Sequence, residues 1–312
     1  MKQQLSSAFR PGTNSNHKTQ VSLYTKFCDN YGLSSVNPTI DTICLYAAYL
    51  TQRFKSANSV ENYISGVRFM HNCLGIYPKA LDSFELKLMT RACKLILRRP
   101  PNRRLPFTVD NLISLVSLCD IMGELGLIMK VVILFGYFGM LRQSNLAPQS
   151  ASQFDITRNT CRGDIISHPP GLVIIAKWSK TIQSFEQLPL IPIPAVPQSP
   201  LDPVKAYQDM IKAMPSHSVN DPLLMKSSGK PVTLSVLREA FQTMLELRGF
   251  DKAQYSLHSL RRTGATMCWH AGVHATDIKR HGTWNSSAFM DYIMSANVSK
   301  SPVALALKNV SK

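Results

Sequence analysis

The sequence predicts a mainly α-helical protein with one small antiparallel β-sheet, arranged as two domains. Three observations carry this. Apolar residues recur at helical spacing along most of the chain, one short stretch between 154 and 193 is β-rich, and an acid-free basic run separates two patterned regions.

Residues 1–16 are polar, contain Pro11 and Gly12, and read as a flexible tail. His17 to Tyr31 carries Val21, Tyr24, Phe27 and Cys28 on one side and stops at Gly32. Asp41 to Phe54 carries Ile43, Leu45, Tyr46, Tyr49 and Leu50. Asn58, with Glu61 three residues later, reads as the capped start of a third helix, whose stripe is Val60, Ile64, Val67 and Leu74 and which ends at Gly75. In a fourth, about Ser83 to Leu97, Leu86, Met89, Cys93 and Ile96 form an apolar face. Lys87, Arg91, Lys94 and Arg98 lie on another face, at spacings of four, three and four. That basic stripe runs into Arg98-Arg99-Pro100-Pro101-Asn102-Arg103-Arg104, a proline-stiffened connector that also suits a nuclear import signal. The predicted domains are therefore 17–97 and 107–312, joined by a linker over 98–106.

In the second domain Thr108 caps a helix to about Ile121, and a buried helix follows over about Gly123 to Tyr137. Leu172 to Ile175 and Leu188 to Ile193 flank a polar turn and predict a hairpin or three-stranded sheet. Asp202-Pro203 opens another helix, and Thr233 caps one that ends at Gly249. From Leu257 onward the pattern is helical, with breaks at Gly272 and Gly282.

The formal net charge of +16 predicts a polyanionic partner, and residues 1–105 carry most of it, with fifteen Lys and Arg against five Asp and Glu. No apolar run reaches the roughly 18 residues of a membrane span, and the N-terminus has no signal-peptide core. Seven widely spaced cysteines without a C-x-x-C suit reduced core thiols. His270 and His274 have zinc-like spacing, but Gly272 falls between them, and the reading calls for neither metal nor cofactor.

Four stretches suit phosphodiester chemistry: Leu141-Arg142-Gln143-Ser144-Asn145-Leu146, Ser179-Lys180-Thr181, His258-Ser259-Leu260-Arg261-Arg262, and Gly282-Thr283-Trp284 with Tyr292 beyond it. Guanidiniums grip phosphate through paired N–H groups, so Arg142 and Arg261 suit the charge that builds on the non-bridging oxygens. Arg261 follows His258 by one helical turn, which points both at one place. Tyr292 is the candidate nucleophile. Its phenol, with a pKa of about 10, needs help to lose its proton, and His258 is the candidate base. Lys180, on the hairpin tip, suits protonation of the leaving 5′ oxygen, and Lys177 is its rival. Trp284 offers an indole N–H to a phosphate oxygen, a contact that His281 rivals. Alone, each residue has a duller explanation: Arg142 as a helix cap, Tyr292 as a core aromatic.

In order and company these motifs resemble the tyrosine recombinase (integrase) superfamily over nearly the whole chain, and look closest to recombinases of Crypton- and DIRS-like eukaryotic mobile elements. The resemblance implies a helical core-binding domain and a catalytic domain clamped around double-stranded DNA. It also implies a covalent 3′-phosphotyrosine at Tyr292 and a homo-tetramer on two paired DNA sites, acting in DNA integration or transposition in the nucleus. By motif, Arg142, Lys180, His258, Arg261, Trp284 and Tyr292 are the implied catalytic set, with His281 adjacent. Lys87, Arg91, Lys94, Arg98, Arg99, Arg103 and Arg104 are the expected DNA-backbone contacts. Residues 301–310, with Val303, Leu305 and Leu307, match the family's segment that packs on a neighbouring protomer. Asn145 departs from the glutamate usual in the family, and Trp284 precedes the tyrosine by eight residues rather than nine. Type IB topoisomerases share the chemistry, and a domesticated DNA-binding protein would share the fold.

Overall fold

The computed structural model describes residues 11–98, 104–177, 188–286 and 289–290. The chain divides into two compact units, Met1–Pro101 and Asn102–Lys312.

The first unit is helical among its described residues: α1 (Pro11–Asn30), α2 (Ile40–Arg53), α3 (Ala57–Leu74) and α4 (Phe84–Ile96). Helix α1 packs on α3 and α2 on α4, around a core that includes Tyr24, Phe27, Ile43, Tyr46, Leu50, Val60 and Val67. Helix α1 begins six residues before the expected start, so residues 11–16 are helix and not tail. Proline at the first helical position sacrifices no hydrogen bond, and a polar first turn carries no apolar stripe to reveal it. Helix α3 starts at Ala57 with Ser56 in the cap position, which displaces Asn58 from the predicted role. Glu61 instead pairs with Lys94 at 2.6 Å. Gly75 ends α3 at φ 71°, where a side chain would be strained. In α4 the Ser83 hydroxyl accepts from the Leu86 N–H, and Leu86 and Cys93 are buried. Ile96 is 70% exposed, outside the expected core stripe. Leu88 and Leu95 put apolar residues on a second face, so periodicity alone could not choose the buried one. Lys87, Arg91, Lys94 and Arg98 are all exposed.

The second unit opens with α5 (Val109–Cys119), held by a reciprocal cap between Thr108 and Asn111. Helix α6 (Gly123–Phe138) is apolar on nearly every side and packs against α5, α8 (Pro203–Ala213) and α10 (Leu257–His270). A short turn of helix, α7 (Gln143–Leu146), follows it. The sheet is antiparallel in the order β1 (Ile165–His168), β2 (Gly171–Ile175), β3 (Leu190–Pro194). Ile174 stands opposite Ile165 on one side and Ile191 on the other. Leu172, Ile174, Ile191 and Ile193 turn inward with the strand period of two. Pro192 and Pro194 fit β3 as an edge strand. Asp202 caps α8 by accepting from the Val204 and Lys205 N–H groups. Helix α9 (Leu234–Leu247) and α11 (Ala275–His281) complete the described α-helices.

The last residues of the expected linker are tied into this unit. Arg104 Nη1 donates to the Lys252 carbonyl at 2.8 Å and to the Ala253 carbonyl, and the Leu105 N–H donates to the Gln254 carbonyl at 2.8 Å. All seven cysteines are unpaired. No described helix is long and apolar enough to cross a membrane.

Candidate active site

Helix α10 begins with a reciprocal cap between Ser256 and Ser259, which sets His258 in its first turn and Arg261 one turn on. Arg261 is only 2% exposed. Its Nη1 donates to the Met140 carbonyl, its Nη2 to the Gly282 carbonyl at 2.5 Å, and its central carbon lies 3.8 Å from the centroid of the Trp284 ring. Arg142 stands at the cap of α7, just beyond the end of α6. Its Nη1 donates to Thr283 Oγ1 at 3.2 Å and its Nη2 to the Thr283 carbonyl at 3.4 Å. The two arginines therefore clasp consecutive residues of the turn after α11.

Glycines make that clasp sterically feasible. A side chain at Gly264 would strike the Tyr137 carbonyl, and one at Gly136 would crowd Leu260, so α6 and α10 can lie close. That closeness brings Arg261 to Met140. A Cβ at Gly282 would overlap the Trp284 indole. Trp284 is 7% exposed and packs with Met140, Ala265, Ile278 and Phe289. Met140 (φ 47°) and Thr283 (φ 54°) both adopt the left-handed backbone that non-glycine residues rarely take. Each costs on the order of 1–3 kcal/mol, and the surrounding bonds must hold it. The Arg261 bond to Met140 and the Arg142 bonds to Thr283 do so.

His258 is exposed, yet its pKa falls to about 4. Desolvation is the larger cause, followed by the charges of Arg261, Arg142 and Arg262. It is therefore neutral at pH 7 and lies in the field of both arginines, though solvent screens part of that field. His281 Nε2 lies 2.8 Å from the Phe138 carbonyl and so carries the proton. Burial first, and Arg261 next, hold its pKa below the ordinary value, while the Phe138 bond works the other way. Its Nδ1 is then an acceptor, so the ring braces the end of α6 and has no second donor for a phosphate. Gly272, at φ 82°, separates His270 from His274, whose Nδ1 bonds Thr276 Oγ1 at 2.7 Å. No metal-binding cluster occurs among the described residues.

Lys177 pairs with Asp164 at 2.7 Å, with little of either side chain exposed, and donates to Cys161 Sγ at 3.3 Å. It is a brace between β2 and the turn before β1. Lys180, Tyr292, Arg99, Arg103 and the 301–310 segment lie outside the described residues. Lys87, Arg91, Lys94 and Arg98 belong to the first unit. The structure thus brings together Arg142, His258, Arg261, His281 and Trp284. Sequence reasoning missed Thr283, although it stands inside the quoted Gly-Thr-Trp run. It also missed Met140, whose part is played by a backbone carbonyl and leaves no residue-type signal.

No family model matches the chain, and no curated protein matches it in sequence. Solved structures do match in shape. The Tn1549 transposon integrase in complex with transposon right end DNA aligns with a TM-score of 0.64 at 14% identity, over 97% of this chain and 95% of that one. The lambda integrase dimer bound to a COC′ core site aligns at 0.62 and 14%, over 97% and 77%. XerH recombinase in a post-cleavage complex with palindromic difH substrate aligns at 0.55 and 12%, over 87% and 70%. The chain has the tyrosine-recombinase fold. That fold spans nearly the whole chain, and the arginine clasp lies in the second of its two units.

Proposed function

We propose that this chain is a site-specific DNA recombinase or integrase of a mobile element, working through a covalent 3′-phosphotyrosine at Tyr292. One observation carries the reading: on a tyrosine-recombinase fold, Arg142 and Arg261 clasp one turn beside Trp284, with a neutral His258 in their field. The neighbours captured with DNA support double-stranded DNA as the substrate.

In this mechanism the tyrosine oxygen attacks phosphorus in line and loses its proton to His258, which is neutral and can accept it. The guanidiniums offset the charge gathering on the non-bridging oxygens. Lys180 gives a proton to the departing 5′ oxygen, and the phosphotyrosine ester conserves the bond energy for resealing. No step needs a metal. Lys87, Arg91 and Arg98 of the first unit hold backbone phosphates, so affinity falls steeply with salt. Four protomers on two paired sites complete the exchange.

The test is a nicked suicide duplex drawn from DNA flanking the coding sequence, incubated with the protein in EDTA and run on a denaturing gel. A covalent adduct is expected. Its persistence in Tyr292→Phe removes the nucleophile assignment, and its dependence on magnesium removes the metal-free mechanism. A second reading, a DNA-binding protein that has lost the reaction, is favoured by the sealing of Arg261 against two carbonyls. Tight DNA binding with no adduct selects it.

A further inference from the structure

Beside His258 the second unit has a hollow of about 240 Å³, lined by Arg104, Gln143, Arg238, Phe241, Gln242, Ser256, Leu257 and His258. It holds two permanent cations and no acid. Sequence patterning gave no hint of it, because its walls come from the chain before α5, from α7, from α9 and from the start of α10.

Three features suit it to an anion. Arg238 Nε donates to Gln143 Oε1 at 3.0 Å, which fixes Gln143 with its amide nitrogen still able to donate. Among the described residues only Nε of Arg238 and Nη1 of Arg104 are engaged, so both guanidiniums keep further N–H donors. The N-terminus of α10, a 14-residue helix, opens onto the hollow through Ser256 and Leu257 and adds its positive dipole end. Gln143 directly follows Arg142, and His258 precedes Arg261 by one turn, so the hollow adjoins the arginine clasp along two chain segments.

We propose that this hollow binds a DNA backbone phosphate adjacent to the one under attack, through Arg238, Arg104 and Gln143. The inference rests on the reading given under Proposed function. Its role is positioning: a second phosphate held beside the clasp fixes the strand, so that the scissile phosphate meets Tyr292 in line. Arg238 carries most of the effect because it is exposed and on a rigid helix. Arg104 also supports the 252–253 turn.

The experiment compares wild type, Arg238→Gln and Arg248→Gln by fluorescence anisotropy on the nicked suicide duplex across a salt series, with adduct formation read in parallel. Arg248 is an exposed cation that does not line the hollow. Arg238→Gln is expected to bind about five- to twentyfold more weakly, with the slope of log affinity against log salt shallower by about 0.9. The adduct should form more slowly even at saturating protein, and Arg248→Gln should behave as wild type. Wild-type affinity and slope in Arg238→Gln overturn the inference while the recombinase reading stands. An equal loss in Arg248→Gln also overturns it, because the effect is then net charge. Failure of the wild-type protein to bind the duplex overturns the recombinase reading itself, and this inference with it.

Discussion

The Arg261 guanidinium lies over Trp284, its central carbon 3.8 Å from the ring centroid, while its two outer nitrogens are held by the carbonyls of Met140 and Gly282. Three separate chain segments are joined through one side chain. This recasts Trp284, expected as a phosphate donor, as the platform that holds an arginine in place.

A desolvated cation–π contact contributes about 2 kcal/mol. Trp284→Phe keeps a ring and should lose less than Trp284→Leu. Urea unfolding, read by far-ultraviolet circular dichroism, ranks the two. Equal losses in both variants would mean that the indole acts only as packing volume.

Removing Arg261 leaves two buried carbonyls without their donor, at about 1–3 kcal/mol each. Arg261→Met should therefore lower unfolding free energy by about 2–5 kcal/mol and abolish the covalent adduct. Arg261→Lys should rescue little of either, because an ammonium lacks the planar fork. Full stability in Arg261→Met would show that the clasp contributes nothing to the fold.

Thr283 offers a sign test. Both Thr283→Ala and Thr283→Gly lose the hydroxyl that accepts from Arg142. Only glycine relieves the strain at φ 54°. Glycine should therefore be the more stable of the two by about 1 kcal/mol, the reverse of the order at ordinary positions. Adduct formation should fall in both. Alanine ranking above glycine in thermal melts would contradict the left-handed backbone.

His258 should titrate near pH 4 and not near 6.5. Nitrogen-15 NMR of the ring across pH 3.5–8 reads this directly. Because the folded pKa is depressed, the unfolded chain binds the proton more readily. The contribution of His258 to stability is thus complete above about pH 6.5 and is lost as pH falls towards 4. Adduct formation at saturating protein should hold level from pH 7 to about 5. An inflection near 6.5 would mean that neither burial nor the arginine field depresses the ring.

Lys177 and Lys180 separate by phenotype. Burial lowers the Lys177 pKa, but the hydrogen bond and charge of Asp164 outweigh it and leave the pKa raised, so the amine stays protonated in its pair. Lys177→Met should cost about 1–3 kcal/mol of stability and leave the per-molecule cleavage rate intact. Lys180→Ala should leave stability intact and slow cleavage of an ordinary 5′-oxygen leaving group by about a hundredfold or more. The opposite pattern would exchange the two roles.

Much of the architecture was legible in order along the chain. Most of the α2 and α3 stripes, though not the exposed Leu45 and Leu74, the Thr108 and Asp202 caps, and the β-rich run that became β2 and β3 are local signals, encoded within a few residues of where they act. Arg142, His258 and Arg261 stood out because their residue types suit phosphate chemistry, and Trp284 stood out for an indole N–H although it sits beneath Arg261. Local signals failed where two faces competed, as at Ile96, or where a polar helix start carried no stripe, as in residues 11–16.

What the sequence determined by itself was the inventory: helices, one small sheet, a basic first third, and a set of groups suited to a phosphodiester. The tertiary structure decided which carbonyls those groups grip, that Arg261 is sealed and seated on Trp284, that Lys177 is a brace, and that Arg238 joins His258 around one hollow. These contacts link residues up to more than a hundred positions apart. Their partners include backbone atoms that every residue carries alike, so no reading of residue types along the chain can single them out.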